Sequence, residues 1–320
     1  MARHATGFLH ALDEHPLAAA TLVAGAALGL ASGLAGKNAE REHPPTGEFA
    51  EIDGVELHYL EAGEGDPVVL LHGNGAMAED FVISGLFDRL AENFRVIAPD
   101  RPGFGYTERP RDRVWTPDAQ ADLIGGLLYH LGVTNPIIVG HSWGNLVAVS
   151  LALAEQVRGL VLLGGYYYPS ARADVALFSP PAIPVAGDLM RYTVSPIATR
   201  ALLPELYRRI FAPMPVPARF TEQFPASLAL RPWQLRAAAE ETAMMIPAAA
   251  AIQDRYRELD VPTVILAGEG DTIVTAADQS ERLHQDIRGS ELEVLPGLGH
   301  MFHYAAVDRI EQAVAKLAGR

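Results

Sequence analysis

Residues 140–144, Gly-His-Ser-Trp-Gly, combine residue types and spacing that suit nucleophilic chemistry. They follow a short apolar run at residues 136–139 and precede the alanine- and leucine-rich residues 145–154. On a sharp turn from a strand to a helix, a serine exposes its hydroxyl above the sheet edge, and flanking glycines permit the turn. We predict that Ser142 is a nucleophile; a tight turn with an incidental serine is the alternative interpretation.

A serine hydroxyl becomes an effective nucleophile when a histidine takes its proton and an acid orients that histidine. Asp271 follows the strand-like residues 261–267, and His300 ends a glycine-rich turn after the strand-like residues 291–295. The carboxyl ends of parallel strands meet at one edge of a sheet, where ligand sites form. The sequence therefore predicts that Asp271 and His300 join Ser142 in a catalytic triad.

Each partner of the serine has a competitor nearby. Asp271 could instead cap a helix that begins near residues 275–278, because aspartate favours helix N-termini. Glu269 is the nearest substitute acid, and His303 competes with His300 for the role of base. We favour Asp271 and His300, since His300 lies in the glycine-rich turn whereas His303 follows it.

An acyl-transfer site also needs N–H donors for an oxyanion, one after the nucleophile and one from the loop after an earlier strand. The apolar residues 67–71 run into such a loop, His-Gly-Asn-Gly. We predict that the main-chain N–H groups of Asn74 and Trp143 form the oxyanion hole. His72 is expected to support this loop as a buried, hydrogen-bonded side chain, and His141 to pack against neighbouring loops.

Strand-like and helix-like segments alternate over most of the chain, which predicts a mainly parallel sheet with helices on both faces. After the sixth strand the alternation stops, prolines multiply and short helical stretches replace strands. This part is expected to be an inserted helical cap. The predicted organisation is an N-terminal segment with a linker at residues 1–47, a core at residues 48–165 and 258–320, and the cap at residues 166–257.

Local signals add three expectations about single elements. The Asp53-Gly54 pair within residues 49–60 predicts an edge hairpin. A helix is expected near residues 79–92. Another helix is expected to start at the Thr116-Pro117-Asp118 sequence, because proline suits the first helical position.

Several motifs together resemble those of the α/β-hydrolase superfamily, in its cap-bearing branch. Residues 99–107, Pro-Asp-Arg-Pro-Gly-Phe-Gly-Tyr-Thr, are similar to the D-x-x-G-x-G-x-S segment that follows the fourth strand in that family. The similarity covers about residues 48–317, and the order serine, acid, histidine agrees with it. The resemblance implies an α/β-hydrolase fold with an eight-stranded, mainly parallel sheet, flanking helices and an inserted cap.

Within the superfamily, residues 72–74 and the frame around Ser142 also resemble haloalkane dehalogenases and epoxide hydrolases. Those enzymes have an aspartate at the nucleophile position, whereas this chain has a serine. An aspartate forms an alkyl ester that water can cleave, but a serine attacking a haloalkane or an epoxide would form an inert ether. The resemblance therefore favours carboxylic esters or related acyl compounds as substrates.

The predicted cap carries many large apolar side chains, which suggest an apolar roof over the substrate. They are Phe178, Met190, Phe211, Phe224, Trp233, Met244 and Met245. We expect hydrolysis of esters with hydrophobic acyl or aryl groups, through an acyl-enzyme and without a metal or an organic cofactor. Carbon–carbon bond hydrolysis or perhydrolysis on the same triad, and a low-turnover ligand-binding protein, are the alternatives.

Composition limits the classes of partner. The formal net charge of −14 argues against nucleic-acid binding, which needs a basic surface, and against adhesion to anionic lipid. The chain has no cysteine, which excludes disulfides, a thiol nucleophile and thiolate metal ligands.

The segment that begins at Leu17 and ends at Gly36 has no charged residue and is rich in alanine, leucine and glycine. About twenty apolar residues suffice to span a bilayer. We favour membrane association through this segment; an amphipathic or buried helix and a signal peptide are the alternatives. The protein is thus expected to be membrane-associated or cytoplasmic.

Overall fold

A single sheet of eight strands forms the centre of the protein, and the computed structural model describes residues 16–320. Residues 1–15 of the predicted N-terminal segment lie outside the described part. The strands are β1 (Glu48–Ile52), β2 (Val55–Ala62), β3 (Pro67–Leu71), β4 (Arg95–Pro99), β5 (Ile137–His141), β6 (Gly159–Leu163), β7 (Thr263–Gly268) and β8 (Glu291–Leu295).

The strand order in the sheet is β1-β2-β4-β3-β5-β6-β7-β8. β1 and β2 form the expected hairpin, and β2 pairs antiparallel with β4. Every other pairing, from β4 through β3 to β8, is parallel. The predicted fold class is confirmed, and the carboxyl ends of β3, β5, β7 and β8 lie at one edge of the sheet.

Thirteen α-helices accompany the sheet in the described residues. They are α1 (Pro16–Glu42), α2 (Glu79–Ser84), α3 (Leu86–Ala91), α4 (Pro117–His130), α5 (Gly144–Ala154), α6 (Ala173–Phe178), α7 (Ala186–Tyr192), α8 (Val194–Phe211), α9 (Ala218–Gln223), α10 (Ala226–Ala229), α11 (Pro232–Ile252), α12 (Ser280–Asp286) and α13 (Val307–Leu317).

Two helices differ from the expectations drawn from the sequence. The helix expected near residues 79–92 is divided into α2 and α3, because Gly85 adopts a left-handed conformation with φ 81°. The helix expected near residues 275–278 begins later, as α12 at Ser280. The helix start at Thr116 is as predicted, since its side chain accepts a hydrogen bond from the Ala119 N–H.

Successive strand residues pack on opposite faces of the sheet, as the pleat requires. Val69 and Leu71 of β3 belong to a buried cluster that includes the apolar side chains of α4 and α5. Val68 and Leu70 belong to the cluster on the other face, which includes side chains of α3 and α13. Because both faces are covered, central strands such as β3 and β6 have continuous apolar sequences.

Between β6 and β7 the described chain contains helices α6–α11 in place of further strands. Residues 166–257 therefore remain our proposed cap, inserted where the alternation of strands and helices is interrupted. Helix α11, which is the longest of these helices, packs against the core and brings polar side chains to the loop after β3.

Helix α1 contains the apolar segment at residues 17–36, and its C-terminal third packs on the proposed cap. Glu40 forms an ion pair of 3.0 Å with Arg231, and Ala39 is buried beside Met77 and Leu228. None of the helices within residues 16–320 has the length and apolarity that crossing a membrane requires.

Candidate active site

The backbone of Ser142 is strained in the way that a nucleophile elbow requires. The residue lies between the end of β5 and the start of α5, with φ 53°, in the left-handed region that side-chain-bearing residues rarely adopt. Its N–H donates a hydrogen bond of 3.0 Å to the Leu163 carbonyl, and its own carbonyl accepts one of 3.1 Å from Asn145. These bonds hold the turn, and the side chain stays partly exposed.

The two flanking glycines are required by close approach of neighbouring backbone. A β-carbon at Gly140 would lie 2.7 Å from Asn145 Oδ1 and 2.9 Å from its α-carbon. A β-carbon at Gly144 would overlap the Leu71 carbonyl oxygen. The glycines thus let β5 and α5 meet at a sharp angle beside β3.

His300 and Asp271 converge on the serine from the loops after β8 and β7. His300 Nε2 lies 3.0 Å from Ser142 Oγ, and His300 Nδ1 lies 2.7 Å from Asp271 Oδ2. The other carboxylate oxygen of Asp271 accepts hydrogen bonds from the N–H groups of Ile273 (2.8 Å) and Val274 (2.9 Å). Both side chains are buried, so the carboxylate has fixed partners on each oxygen.

The competing acid and base lie elsewhere. Glu269 Oε2 accepts a hydrogen bond of 3.1 Å from the Gly297 N–H. His303 Nε2 lies 2.9 Å from Asp80 Oδ2 and so pairs with a different carboxylate. The structure thus brings Asp271 and His300 to the serine.

Trp143, one predicted oxyanion donor, directly follows Ser142, and the loop that carries the other, Asn74, reaches Ser142 at Gly73. A β-carbon at Gly73 would lie 3.0 Å from the Ser142 β-carbon, so the loop after β3 touches the nucleophile. Within the part of the chain that the structure describes, the N–H groups of Asn74 and Trp143 have no hydrogen-bond acceptor. An oxyanion hole requires unpaired N–H donors near the nucleophile, and both predicted donors meet the first of these conditions.

His72 supports the loop after β3 as a neutral side chain. Burial, followed by the charge of Arg101, lowers the pKa of His72 to about 3. The neutral ring has one donor and one acceptor. Its Nε2 accepts a hydrogen bond of 2.9 Å from the Arg101 N–H, and its Nδ1 lies 2.9 Å from the Gly73 carbonyl oxygen, to which it donates.

His141, Asp80 and His303 form a buried group behind His300. One possible ligand atom of each lies within 4.8 Å of those of the others, so among the described residues these three could hold a metal ion. Asp80 pairs with His303 and accepts a hydrogen bond of 2.6 Å from the Tyr304 hydroxyl. Burial and the neighbouring imidazoles lower the pKa of His141, whose Nε2 lies 3.1 Å from the His300 carbonyl.

The buried pair of Arg101 and Glu241 lies next to the loop after β3 and was not predicted from the sequence. Arg101 belongs to the 99–107 motif, and Glu241 lies on α11. Both side chains have no exposed surface. A signal was present, because Glu241 shares a helical face with the apolar Ala237 and Ala248, and a carboxylate on a buried face needs a cation.

The apolar residues of the proposed cap pack in different parts of the structure. Phe211 packs in a cluster with Phe220 and Tyr304, whereas Trp233 lies against Gly36 of α1. A cavity of about 540 Å³ lies between helices α6 and α8 and the loop after Asp271, and its lining includes Phe178 but neither Ser142 nor His300. Apolar surface is thus present at the sheet edge that carries the site.

The sheet, the strained serine turn and the order of the converging loops define a class of hydrolase fold. Residues 68–313 match the alpha/beta hydrolase family, and the chain belongs to that family.

Similar proteins carry out more than one reaction. Haloalkane dehalogenase 2 of Mycobacterium tuberculosis is 28% identical over 278 residues, which are 82% of this chain and 91% of that protein. The 2-hydroxymuconate semialdehyde hydrolase of Pseudomonas putida is 36% identical over 129 residues, 40% of this chain and 46% of that protein. The structure of a meta-cleavage product hydrolase from Pseudomonas fluorescens IP01 has a TM-score of 0.62 and 26% identity, and the match covers 85% of this chain and 97% of that one.

Proposed function

We propose that the protein hydrolyses carboxylic esters through a covalent acyl-enzyme on Ser142. The observation that carries this proposal is the unbroken sequence of contacts from Ser142 Oγ to His300 (3.0 Å) and from His300 to Asp271 (2.7 Å). Hydrogen-bonded serine, histidine and acid in this order are the arrangement that activates a hydroxyl for acyl transfer.

In the proposed first step, Ser142 Oγ bonds to the ester carbonyl carbon while its proton moves to His300 Nε2. Asp271 stabilises the imidazolium, and the Asn74 and Trp143 N–H groups bind the oxyanion. The carbon–oxygen bond to the alcohol then breaks, and His300 returns the proton to the leaving alcohol. Water attacks the acyl-enzyme with His300 again as base, which releases the acid and restores the serine.

We propose hydrophobic acyl or aryl groups as the favoured substrates. Support comes from the apolar side chains of the proposed cap, of which Leu177, Phe178 and Leu206 line a cavity at the same sheet edge, together with charged side chains such as Arg172 and Arg209. Apolar area removed from water contributes about 25 cal/mol per Å². Longer acyl chains should therefore raise kcat/KM until the pocket is full.

A panel of 4-nitrophenyl esters from acetate to decanoate tests the substrate class. We expect multiple turnovers, with kcat/KM at least about tenfold higher for a medium chain than for acetate, because each added CH₂ is worth about 0.8 kcal/mol when buried. A best rate on acetate would overturn the hydrophobic preference. A single burst without turnover would identify a ligand-binding protein that keeps the triad.

Carbon–carbon bond hydrolysis is the second candidate, and the hydrolase relatives at 36% and 26% identity support it. The same serine, base and oxyanion donors would serve a ketone substrate. Product analysis with a vinylogous diketone beside the matched aryl ester separates the two activities. Dehalogenation is not proposed, because a serine alkylated by a haloalkane would be an ether that water does not cleave.

A further inference from the structure

The guanidinium of Arg101 is bonded to the main chain of the loop after β3. Its Nη2 donates a hydrogen bond of 2.9 Å to the Gly73 carbonyl, and its Nε donates one of 2.7 Å to the His72 carbonyl. Arg101 is fully buried, so water does not compete for these bonds. Two consecutive carbonyl groups are therefore held by one rigid side chain.

The fixed Gly73 carbonyl determines where the next N–H points. In a planar trans peptide the C=O and the following N–H point in opposite directions. The carbonyl of Gly73 is directed to Arg101 and also accepts from His72, so the Asn74 N–H of the same peptide unit is directed away from Arg101. That N–H is one of the two predicted oxyanion donors, and Gly73 lies against Ser142.

The charge of Arg101 is balanced from helix α11. Glu241 pairs with both terminal nitrogens of the guanidinium, with Nη2 at 3.0 Å from Oε2. Gln120 completes the network by accepting from Arg101 Nη1 (2.8 Å) and donating to Glu241 Oε1 (3.1 Å). Leaving one buried charge without its partner costs about 3–5 kcal/mol, so Arg101 depends on α11.

The same turn of α11 also holds the side chain of Asn74. Its Nδ2 donates to the Ala238 carbonyl (3.1 Å) and to Thr242 Oγ1 (3.0 Å). One helical turn of the proposed cap thus fixes the loop after β3 at two points, one through Asn74 itself and one through Glu241 and Arg101.

We propose that Arg101 and Glu241 are positioning residues, through which helix α11 aims the Asn74 N–H at the oxyanion. The inference rests on the proposed function, because an oxyanion forms only if Ser142 attacks a carbonyl. Neither side chain touches the reacting atoms. They fix the direction of one peptide unit. The hydrogen bond from the N–H of that unit to the oxyanion is strongest in the transition state.

Arg101→Lys tests the proposal, with Arg109→Lys as the matched control. Lysine keeps the charge next to Glu241 but lacks the fork that bonds two carbonyls. Arg109 pairs at 2.7 Å with Glu240, the neighbour of Glu241 on α11, and donates to the Pro102 carbonyl outside the loop after β3. The two variants therefore make the same chemical change in adjacent ion pairs.

We expect Arg101→Lys to lower kcat on an aryl ester by about 10²-fold with KM within about threefold, since the loss is confined to the transition state. Inhibition by a trifluoromethyl ketone, which forms a tetrahedral oxyanion on serine, should weaken to a similar extent. Arg109→Lys should change either value by less than about threefold. Equal effects of the two variants, or an unchanged kcat in Arg101→Lys, would overturn the proposal.

Two further measurements distinguish failure of this proposal from misfolding of the variant and from failure of the proposed function. If Arg101→Lys does not fold, the double variant Arg101→Met with Glu241→Met removes both charges together and should show the same loss of kcat. The amide ¹H–¹⁵N resonance of Asn74 should shift in Arg101→Lys and stay in place in Arg109→Lys. That comparison needs no substrate, so it decides the positioning role even if wild-type protein hydrolyses no ester.

Discussion

Ser142 retains an unfavourable backbone conformation because its neighbours fix it on both sides. The left-handed region costs a residue with a β-carbon about 1–2 kcal/mol. Hydrogen bonds to Leu163 and from Asn145 and the tight contacts of Gly140 and Gly144 hold the turn in place. The same conformation presents the hydroxyl to His300, so the proposed activity requires a backbone conformation that lowers the stability of the fold.

This opposition predicts that glycine is the stabilising replacement. Ser142→Gly should have a free energy of unfolding about 1 kcal/mol higher than Ser142→Ala, because glycine adopts φ 53° without strain whereas alanine keeps the β-carbon. Urea denaturation measures both. At Ser150, which lies within α5, the alanine variant should instead be more stable than the glycine variant by about 1 kcal/mol. A less stable Ser142→Gly would show that the turn is not strained.

A second prediction at the residue scale concerns pH. Burial, followed by the Asp100 carboxylate, raises the pKa of Glu79 to about 7 from 4.5, while the charges of His58 and Arg231 oppose the shift. The folded protein therefore binds this proton more tightly than the unfolded chain does. The stabilisation that the protonated Glu79 side chain gives the folded protein is complete below about pH 4.5 and is lost as the pH rises through 7.

Glu79→Gln removes this titration. At pH 8 the variant should be more stable than wild type by on the order of 2 kcal/mol, because one unit of pKa shift corresponds to about 1.4 kcal/mol. At pH 5 the difference should be much smaller. Thermal or urea unfolding at the two pH values measures it, and Glu64→Gln at an exposed position is the control. A difference that does not depend on pH would contradict the raised pKa.

At the scale of elements, local signals were predictable and contacts between distant elements were not. The elbow at Ser142 and the start of α4 at Thr116 are encoded by neighbouring residues, so the sequence predicted them. The break at Gly85 was missed because a glycine inside a helical pattern is compatible with continuation. Arg101 and Glu241 are 140 positions apart in the sequence. A local sequence pattern does not predict which buried cation pairs with a carboxylate on a distant helix.

The junction of β5 and α5 yields a prediction about helix packing. Gly144→Ala should lower the free energy of unfolding by about 3 kcal/mol, because the added methyl would overlap the Leu71 and His72 carbonyls. Gly125→Ala, inside α4, meets only ordinary contacts such as Leu151 at 3.6 Å. It should stabilise the protein by about 0.5–1 kcal/mol through helix propensity. Equal effects in denaturation experiments would mean that α5 does not approach β3 closely.

At the scale of the whole molecule, helix α1 extends an apolar surface from the proposed cap. The side chains of α1 that are large, apolar and exposed are Leu17, Val23, Leu28, Leu30 and Leu34. The Glu40–Arg231 pair fixes the other end of the helix to the cap. An exposed apolar surface of this kind is typical of an interaction site, and membrane association through α1 remains a prediction.

Vesicle flotation tests that prediction. The 320-residue chain should float with phosphatidylcholine vesicles, whose uncharged surface does not repel a chain of net charge −14. Leu30→Glu combined with Leu34→Glu should abolish flotation, because charges oppose burial in the lipid interface. Tyr129→Glu, at an exposed position on α4, should leave flotation unchanged. Wild-type protein that stays in the aqueous fraction would contradict the prediction.

Covalent capture on Ser142 tests the central claim most directly. Wild-type protein mixed with a fluorophosphonate should gain one adduct, located by peptide mass spectrometry on Ser142. The adduct should be absent in Ser142→Ala and should form at least about 10³-fold more slowly in His300→Ala, because the base is lost. Labelling of another residue, or ester turnover by Ser142→Ala at the wild-type rate, would contradict the proposed mechanism.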